Sequence, residues 1–128
     1  MSYHVLDQDG HRVCALTQVG DDWSVRCAVV DFLKEMSANK SYRSSSRGLA
    51  VVFNRYAKNG RHGVTQEMFH EADKKDAIWE FIKGDLRVLC FMVGSDVFLT
   101  NGYIKKSQKA DPTEVNRAIN AKKLYLAK

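Results

Sequence analysis

Three apolar runs stand back to back between residues 77 and 104, separated by two tight glycine turns. Residues 77–82, 86–93 and 96–104 are rich in aromatic and β-branched side chains. Gly84-Asp85 and Gly94-Ser95 lie between them, and two-residue glycine turns of this kind join antiparallel strands. Any fold of this chain must be built around that three-strand meander.

The rest of the chain supplies elements to cover it. Residues 3–6 and 12–16 flank Asp7-Gln8-Asp9-Gly10, which predicts an N-terminal hairpin. Val25, Ala28, Val29, Phe32, Leu33 and Met36 recur at helical spacing and predict a helix over residues 23–37. Leu49, Val52, Phe53 and Tyr56 predict a second helix that stops at Asn59-Gly60. The polar stretch 37–46 connects the two as an αα-hairpin. Residues 68–72 read as a short strand or extended segment. Asp111, Pro112 and Glu114 form a helix start, with Asp111 as cap and Glu114 reaching back from the third position. The expectation is one α+β domain over residues 1–128. It has an N-terminal strand or hairpin, a two-helix hairpin, an antiparallel sheet of three to five strands and a C-terminal helix.

Composition narrows the function classes. With 128 residues, 45% hydrophobic and 27% charged, the chain is of ordinary globular make-up. No apolar run approaches the roughly 18 residues of a membrane span. The first residues lack a signal-peptide layout, so a cytoplasmic location is expected. Cys14, Cys27 and Cys90 are widely spaced among apolar neighbours and read as buried small hydrophobes. The four histidines show no ligand spacing, His62 and His70 reading as surface or loop residues, so neither a metal nor a cofactor is expected. Trp79 reads as core.

The net charge of +5 is concentrated. Residues 83–128 hold nine Lys/Arg against four acids, whereas residues 1–82 balance at eleven of each. Localised basicity favours an anionic partner such as nucleic acid. The sharpest concentration is Asn101-Gly102-Tyr103-Ile104-Lys105-Lys106-Ser107-Gln108-Lys109, where the third strand ends. Strand alternation places Arg87 on the face of Leu89 and Phe91. It places Asn101, Tyr103 and Lys105 on the face of Val97 and Leu99, with Lys106 opposite. Counting outward from Gly94-Ser95 brings Arg87 close to Asn101 through Tyr103. A guanidinium, a phenol, an amide and up to three ammonium groups can then converge at one sheet end.

Such a set suits RNA cleavage through the 2′-hydroxyl. That reaction needs a base for the 2′-OH, cations for the phosphorane and an acid for the leaving 5′-oxygen. Arginine grips phosphate bidentately, and a lysine among like charges becomes a usable base. Residue types alone leave a second reading open, in which the lysines are a solvated strand end and Arg87 pairs with Asp85 or Glu80.

In order along the chain, several motifs resemble the phage-derived, HigB-type branch of the RelE/ParE toxin superfamily. Val30-Asp31-Phe32-Leu33 resembles the helix that opens the family's conserved region. Ile78-Trp79-Glu80-Phe81 followed by Leu86-Arg87-Val88-Leu89-Cys90-Phe91 resembles its "W-E-L-R … Y-R-V-L-Y-F" strand pair. Residues 101–109 resemble its "[HN]-G-F-x-K-K-[ST]-x-K" signature, and the Pro112 helix follows. The resemblance spans about residues 23–120 and implies a ribosome-dependent endoribonuclease (mRNA interferase) that cuts translated mRNA. The same family relation implies a type II toxin–antitoxin pair with a helix-turn-helix, HigA-like antitoxin, through which alone the toxin meets operator DNA. By position, Arg87 would hold the scissile phosphate, and Lys105, Lys106 and Lys109 would supply a phosphate cradle and a base. Tyr103, at a usual aromatic position, would act beside them and stack on a base, and Lys109 and Asn101 would bind RNA. The "W-E-L-R" arginine is Ile82 here, with Lys83 or Lys74 as substitute cations, and Asn101 stands where many relatives carry His. Two other readings remain open: a ParE-like toxin directed at DNA gyrase, and a non-enzymatic phage protein that docks nucleic acid or a partner.

Overall fold

The computed structural model describes residues 2–127. In chain order the elements are β1 (Ser2–Gln8), β2 (Arg12–Val19), β3 (Val25–Arg26), α1 (Ala28–Ala38), α2 (Arg43–Asn59), β4 (Phe69–Asp73), β5 (Ile78–Lys83), β6 (Leu86–Val93), β7 (Asp96–Ile104) and α3 (Pro112–Leu126). A 3₁₀ turn at Gly60–Gly63 links α2 to the segment before β4. Gly84 and Gly94 hold the meander turns at φ of 56° and 60°, a region that glycine enters without steric cost.

The sheet runs β1-β2-β7-β6-β5-β4, with β3 paired to β2. It is a mixed sheet of seven strands, where three to five antiparallel strands were expected. The difference comes from β2, which pairs parallel to β7, with Val13 opposite Val97 and Ala15 opposite Leu99. Val13, Cys14, Ala15 and Leu16 are all buried, so both faces of β2 are covered and the strand belongs inside a sheet. Arg12 fixes the join. Its Nε and Nη2 donate to Asp96 Oδ2 at 3.0 and 2.7 Å, and its backbone N–H donates to Oδ1 at 3.1 Å. These hydrogen bonds hold the Asp96 carboxyl below the usual carboxylate range.

Helices cover both faces. Val29 and Met36 of α1 and Leu49, Val52, Phe53, Tyr56 and Ala57 of α2 pack on Val13, Phe81, Val88, Cys90, Val97 and Leu99. Phe53 meets Phe81 edge-on at 5.1 Å. On the other face, Ala118 and Ala121 of α3 pack with Cys14, Leu16, Ile78, Leu89, Phe91 and Phe98. Cys14, Cys27 and Cys90 are buried and free. Among the described residues no helix is long and apolar enough to cross a membrane.

Both early helices have different bounds from those expected. The first begins at Ala28, because residues 20–24 close a turn instead. Gly20 N–H donates to Ser24 O at 2.7 Å, and Asp22 Oδ1 accepts from Ser24 N and Oγ. Val25 and Arg26 then pair with β2, and Trp23 stands 86% exposed at φ 65°. The second helix begins at Arg43, six residues before the first position of its apolar stripe, so the connection shrinks to four residues. At α3, Asp111 caps as expected by accepting from Thr113 N and Glu114 N. The Glu114 carboxylate accepts from Asn101 Nδ2 at 3.2 Å, and among the described residues it makes no reciprocal capping bond to Asp111 N–H.

At Gly102, Phe32 of α1 lies directly against the backbone of β7. A Cβ at this position would fall inside the contact radius of the Phe32 ring, which lies flat across the glycine. Gly102→Ala is therefore expected to destabilise the fold by about 1–3 kcal/mol through overpacking. Thermal unfolding reads this directly, and an unchanged midpoint would mean that Phe32 does not rest on β7.

Candidate functional site

The site begins with a register break. Leu89 pairs with Asn101 but Cys90 pairs with Leu99, which leaves Thr100 as the extra residue of a β-bulge in β7. The bulge reverses the phase of everything after it. Simple alternation placed Asn101, Tyr103 and Lys105 on the face of Val97 and Leu99. Instead, Tyr103 packs with the cluster under α3, while Gly102 turns to Phe32. Tyr103 thereby stands directly opposite Arg87 on the same face, and Arg87 is flanked on its other side by Ile82 of β5.

Arg87 is 8% exposed and anchored through its guanidinium. Its Nη1 donates to Gly84 O at 2.7 Å and to Leu86 O at 3.0 Å. Its Nε lies 3.9 Å from Glu80 Oε1. Glu80 is 4% exposed and gathers the neighbouring polar groups around it. It accepts from His70 Nε2 at 2.7 Å, across the β4–β5 pair, and from the Tyr103 hydroxyl at 3.3 Å. A carboxylate can only accept, so the proton of a neutral His70 sits on Nε2 and Nδ1 is left as an acceptor. Burial, then the nearby charge of Glu80, pushes the Tyr103 phenol up to about 12. Tyr103 is a hydrogen-bond donor at neutral pH.

These groups line a cleft of about 190 Å³ together with Lys105 and Lys109. The Lys105 backbone N–H is tied to Asp85 O at 2.7 Å, and Ser107 Oγ donates to Lys109 O at 3.1 Å. One wall therefore carries ammonium groups on a loop, and the opposite wall carries an imidazole braced by a buried carboxylate. Among the described residues no cluster of His, Cys, Asp or Glu has the makings of a metal site.

Four of the sequence-derived site residues, Arg87, Tyr103, Lys105 and Lys109, come together here. The other four do not. Lys106 is exposed and outside the cleft lining. Lys83 alternates to the opposite face and runs along Gly48 of α2. Lys74 lies in the β4–β5 turn, at the other end of β5 from Ile82. Asn101 is buried, and its amide is spent within the fold. Nδ2 donates to Glu114 O at 3.1 Å and Oδ1 accepts from Thr100 Oγ1 at 2.7 Å, so it ties β7 to α3.

His70 is the group that reading the sequence missed. Its signal lay in the register: with β4 and β5 joined by a turn, position 70 falls opposite position 80. Trp79, read as core, packs against the core yet lines an open groove.

Two phenols give the fold an alkaline limit. Burial also raises Tyr56 to about 12. Unfolded tyrosine titrates near 10, so the folded state holds both protons more tightly. Stability from these groups is intact below about pH 10 and is lost as pH rises through about 12. Thermal midpoints should fall over that interval, and Tyr103→Phe should remove part of the decline. An identical alkaline profile in the variant would contradict the burial of the Tyr103 hydroxyl beside Glu80.

Residues 31–123 match the family model described as Phage derived protein Gp49-like (DUF891). No curated protein matches the chain. The matched stretch holds most of α1, all of α2, the meander and most of α3, and it includes every residue of the cleft. The chain belongs to the Gp49-like phage-derived family, a RelE/ParE-like toxin family whose members imply an antitoxin partner.

Proposed function

We propose that this protein is the HigB-type toxin of a type II toxin–antitoxin pair and a ribosome-dependent endoribonuclease acting on translated mRNA in the cytoplasm. One observation carries the reading: Arg87, Lys105 and Lys109 share a single cleft with an imidazole oriented by a buried carboxylate. Three cations and a positioned proton acceptor are what transesterification at phosphate requires.

In the reaction, the 2′-hydroxyl gives its proton to His70 Nδ1 as the O2′–P bond forms. Arg87 Nη2 and the Lys109 ammonium take up the charge of the phosphorane, while the Tyr103 hydroxyl stays protonated and donates to Glu80. The P–O5′ bond breaks, with a proton passing from the Lys105 ammonium to O5′. The products are a 2′,3′-cyclic phosphate and a 5′-hydroxyl. Glu80 positions His70 and stabilises the imidazolium. Lys106, Lys83 and Lys74 contribute only to the positive field that draws RNA in, and Asn101 acts through the fold.

A cleft of about 190 Å³ holds a phosphate and a ribose but grips little of an RNA chain. Presentation of mRNA by the ribosome supplies the missing positioning, whose worth in such reactions is large. The partner that silences the toxin is a helix-turn-helix, HigA-like antitoxin, and operator DNA is met only through it.

Induced expression should arrest growth and cleave ribosome-bound mRNA. Arg87→Ala with Lys105→Ala should lower cleavage at least about 10²-fold. Undiminished toxicity in that double variant would overturn the site. Loss of gyrase supercoiling without translation would instead identify a gyrase-directed toxin. Salt-sensitive RNA binding with no cleavage on ribosomes would identify a binding protein.

His70→Gln keeps a hydrogen bond to Glu80 but removes the proton acceptor. It is expected to reduce single-turnover cleavage by about 10²–10⁴-fold and to flatten the acidic limb of the pH–rate profile. A full rate with an unchanged profile would remove His70 from the mechanism.

A further inference from the structure

We propose that the groove on the far side of β4 holds the nucleobase next to the scissile phosphate and favours guanine. This rests on the RNA-cleaving reading of the cleft for the identity of the ligand, but its geometry is independent.

The groove is about 570 Å³, larger than the cleft, and the two hollows share His70 and Glu71. β4 is the last strand of its sheet edge, so a chain leaving the cleft needs only to cross that strand to enter the groove. Phe69 and Trp79 belong to the α1–α2 side of the sheet, which places the groove on that face.

Its wall is a stack. Phe69 lies on Trp79 with ring centres 5.0 Å apart and planes at 15°. The Arg61 guanidinium lies 4.4 Å over the Trp79 ring. Arg61 comes from the 3₁₀ turn, which Arg55 holds by donating from Nε to Gly63 O at 2.7 Å. Arg61 is exposed and, among the described residues, forms no ion pair. Phe69 covers one face of Trp79 and the Arg61 guanidinium the other, so the plane open to a base is the outer face of the guanidinium, and bases stack on arginine planes as they do on aromatic rings.

The groove's edge explains why a base, rather than a phosphate, belongs there. Glu71 lines it and repels anions, yet a carboxylate accepts two hydrogen bonds side by side. Guanine presents N1–H and the N2 amine together on one edge, whereas thymine or uracil offers a single N–H between two carbonyl oxygens. His62 and Gln66 also line the groove. Among the described residues, neither side chain makes a hydrogen bond or ion pair. Phosphate is thus drawn to the lysines of the cleft and the neighbouring base to the groove.

The chain has two tryptophans, Trp23 and Trp79. In the full chain carrying Trp23→Phe, Trp79 becomes the only tryptophan and reports on the groove. Titration with 2′-deoxy tetranucleotides, which lack the attacking hydroxyl, should quench Trp79 saturably, with guanine-containing sequences tightest. Arg61→Ala should weaken binding about 5- to 150-fold. Glu71→Gln should erase the difference in affinity between guanine-containing and thymine-only sequences. No quenching of Trp79 while fluorescence anisotropy shows the oligonucleotide bound would overturn the proposal, as would unchanged affinity in Arg61→Ala. Guanine-dependent quenching in a protein that cuts no mRNA on ribosomes would sustain the base site and sink the nuclease. Cleavage without quenching would do the reverse.

Discussion

A carboxylate buried in the middle of β5 organises this molecule. Glu80 lies in a strand otherwise lined by Ile78, Trp79, Phe81 and Ile82, and burying a charge there is costly unless it is paired. It is surrounded by groups from three other strands: His70 from β4, Arg87 from β6 and Tyr103 from β7. The requirement to compensate one buried charge thus draws an imidazole, a guanidinium and a phenol to the same spot. The apolar surroundings strengthen each of those contacts. The cleft is the outer surface of that network, so the site and the local stability of the sheet have a common origin.

Two backbone features bring the network into being. The bulge at Thr100 turns Tyr103 toward Arg87, and Gly102 lets Phe32 lie against β7 on the opposite face. Asn101, between them, ties β7 to the start of α3 through Glu114. The strand end is therefore held from both faces before it leaves the sheet as the lysine loop. That rigidity suits a site in which cations must already be in place when a phosphate arrives.

Much of this was legible in the sequence, for local reasons. The meander announces itself because glycine turns and strand alternation are short-range signals, and the Asp111-Pro112 helix start is shorter still. The parallel pairing of β2 with β7 joins residues more than eighty positions apart and leaves no local trace. Val25, Ala28 and Val29 have helical spacing, but the hydrogen bonds of Asp22 and Gly20 with Ser24 make a turn of the preceding residues. The convergence of Arg87 and Tyr103 was found from the right turn with the wrong face, since a bulge cannot be counted from alternation. Lys83 and Lys74 were plausible cations only until the sheet assigned them a face and an end. His70 needed the β4–β5 register, which two adjoining strands in a basic, histidine-bearing chain do not disclose on their own.

The cleft is proposed to perform 2′-hydroxyl transesterification on mRNA held by the ribosome. The most direct measurement is the chemistry of the cut ends formed when purified protein meets ribosomes programmed with a defined message. The fragments should bear a 2′,3′-cyclic phosphate and a 5′-hydroxyl and form only when ribosomes are present. Fragments ending in a 3′-hydroxyl and a 5′-phosphate, or no cleavage at all, would contradict it.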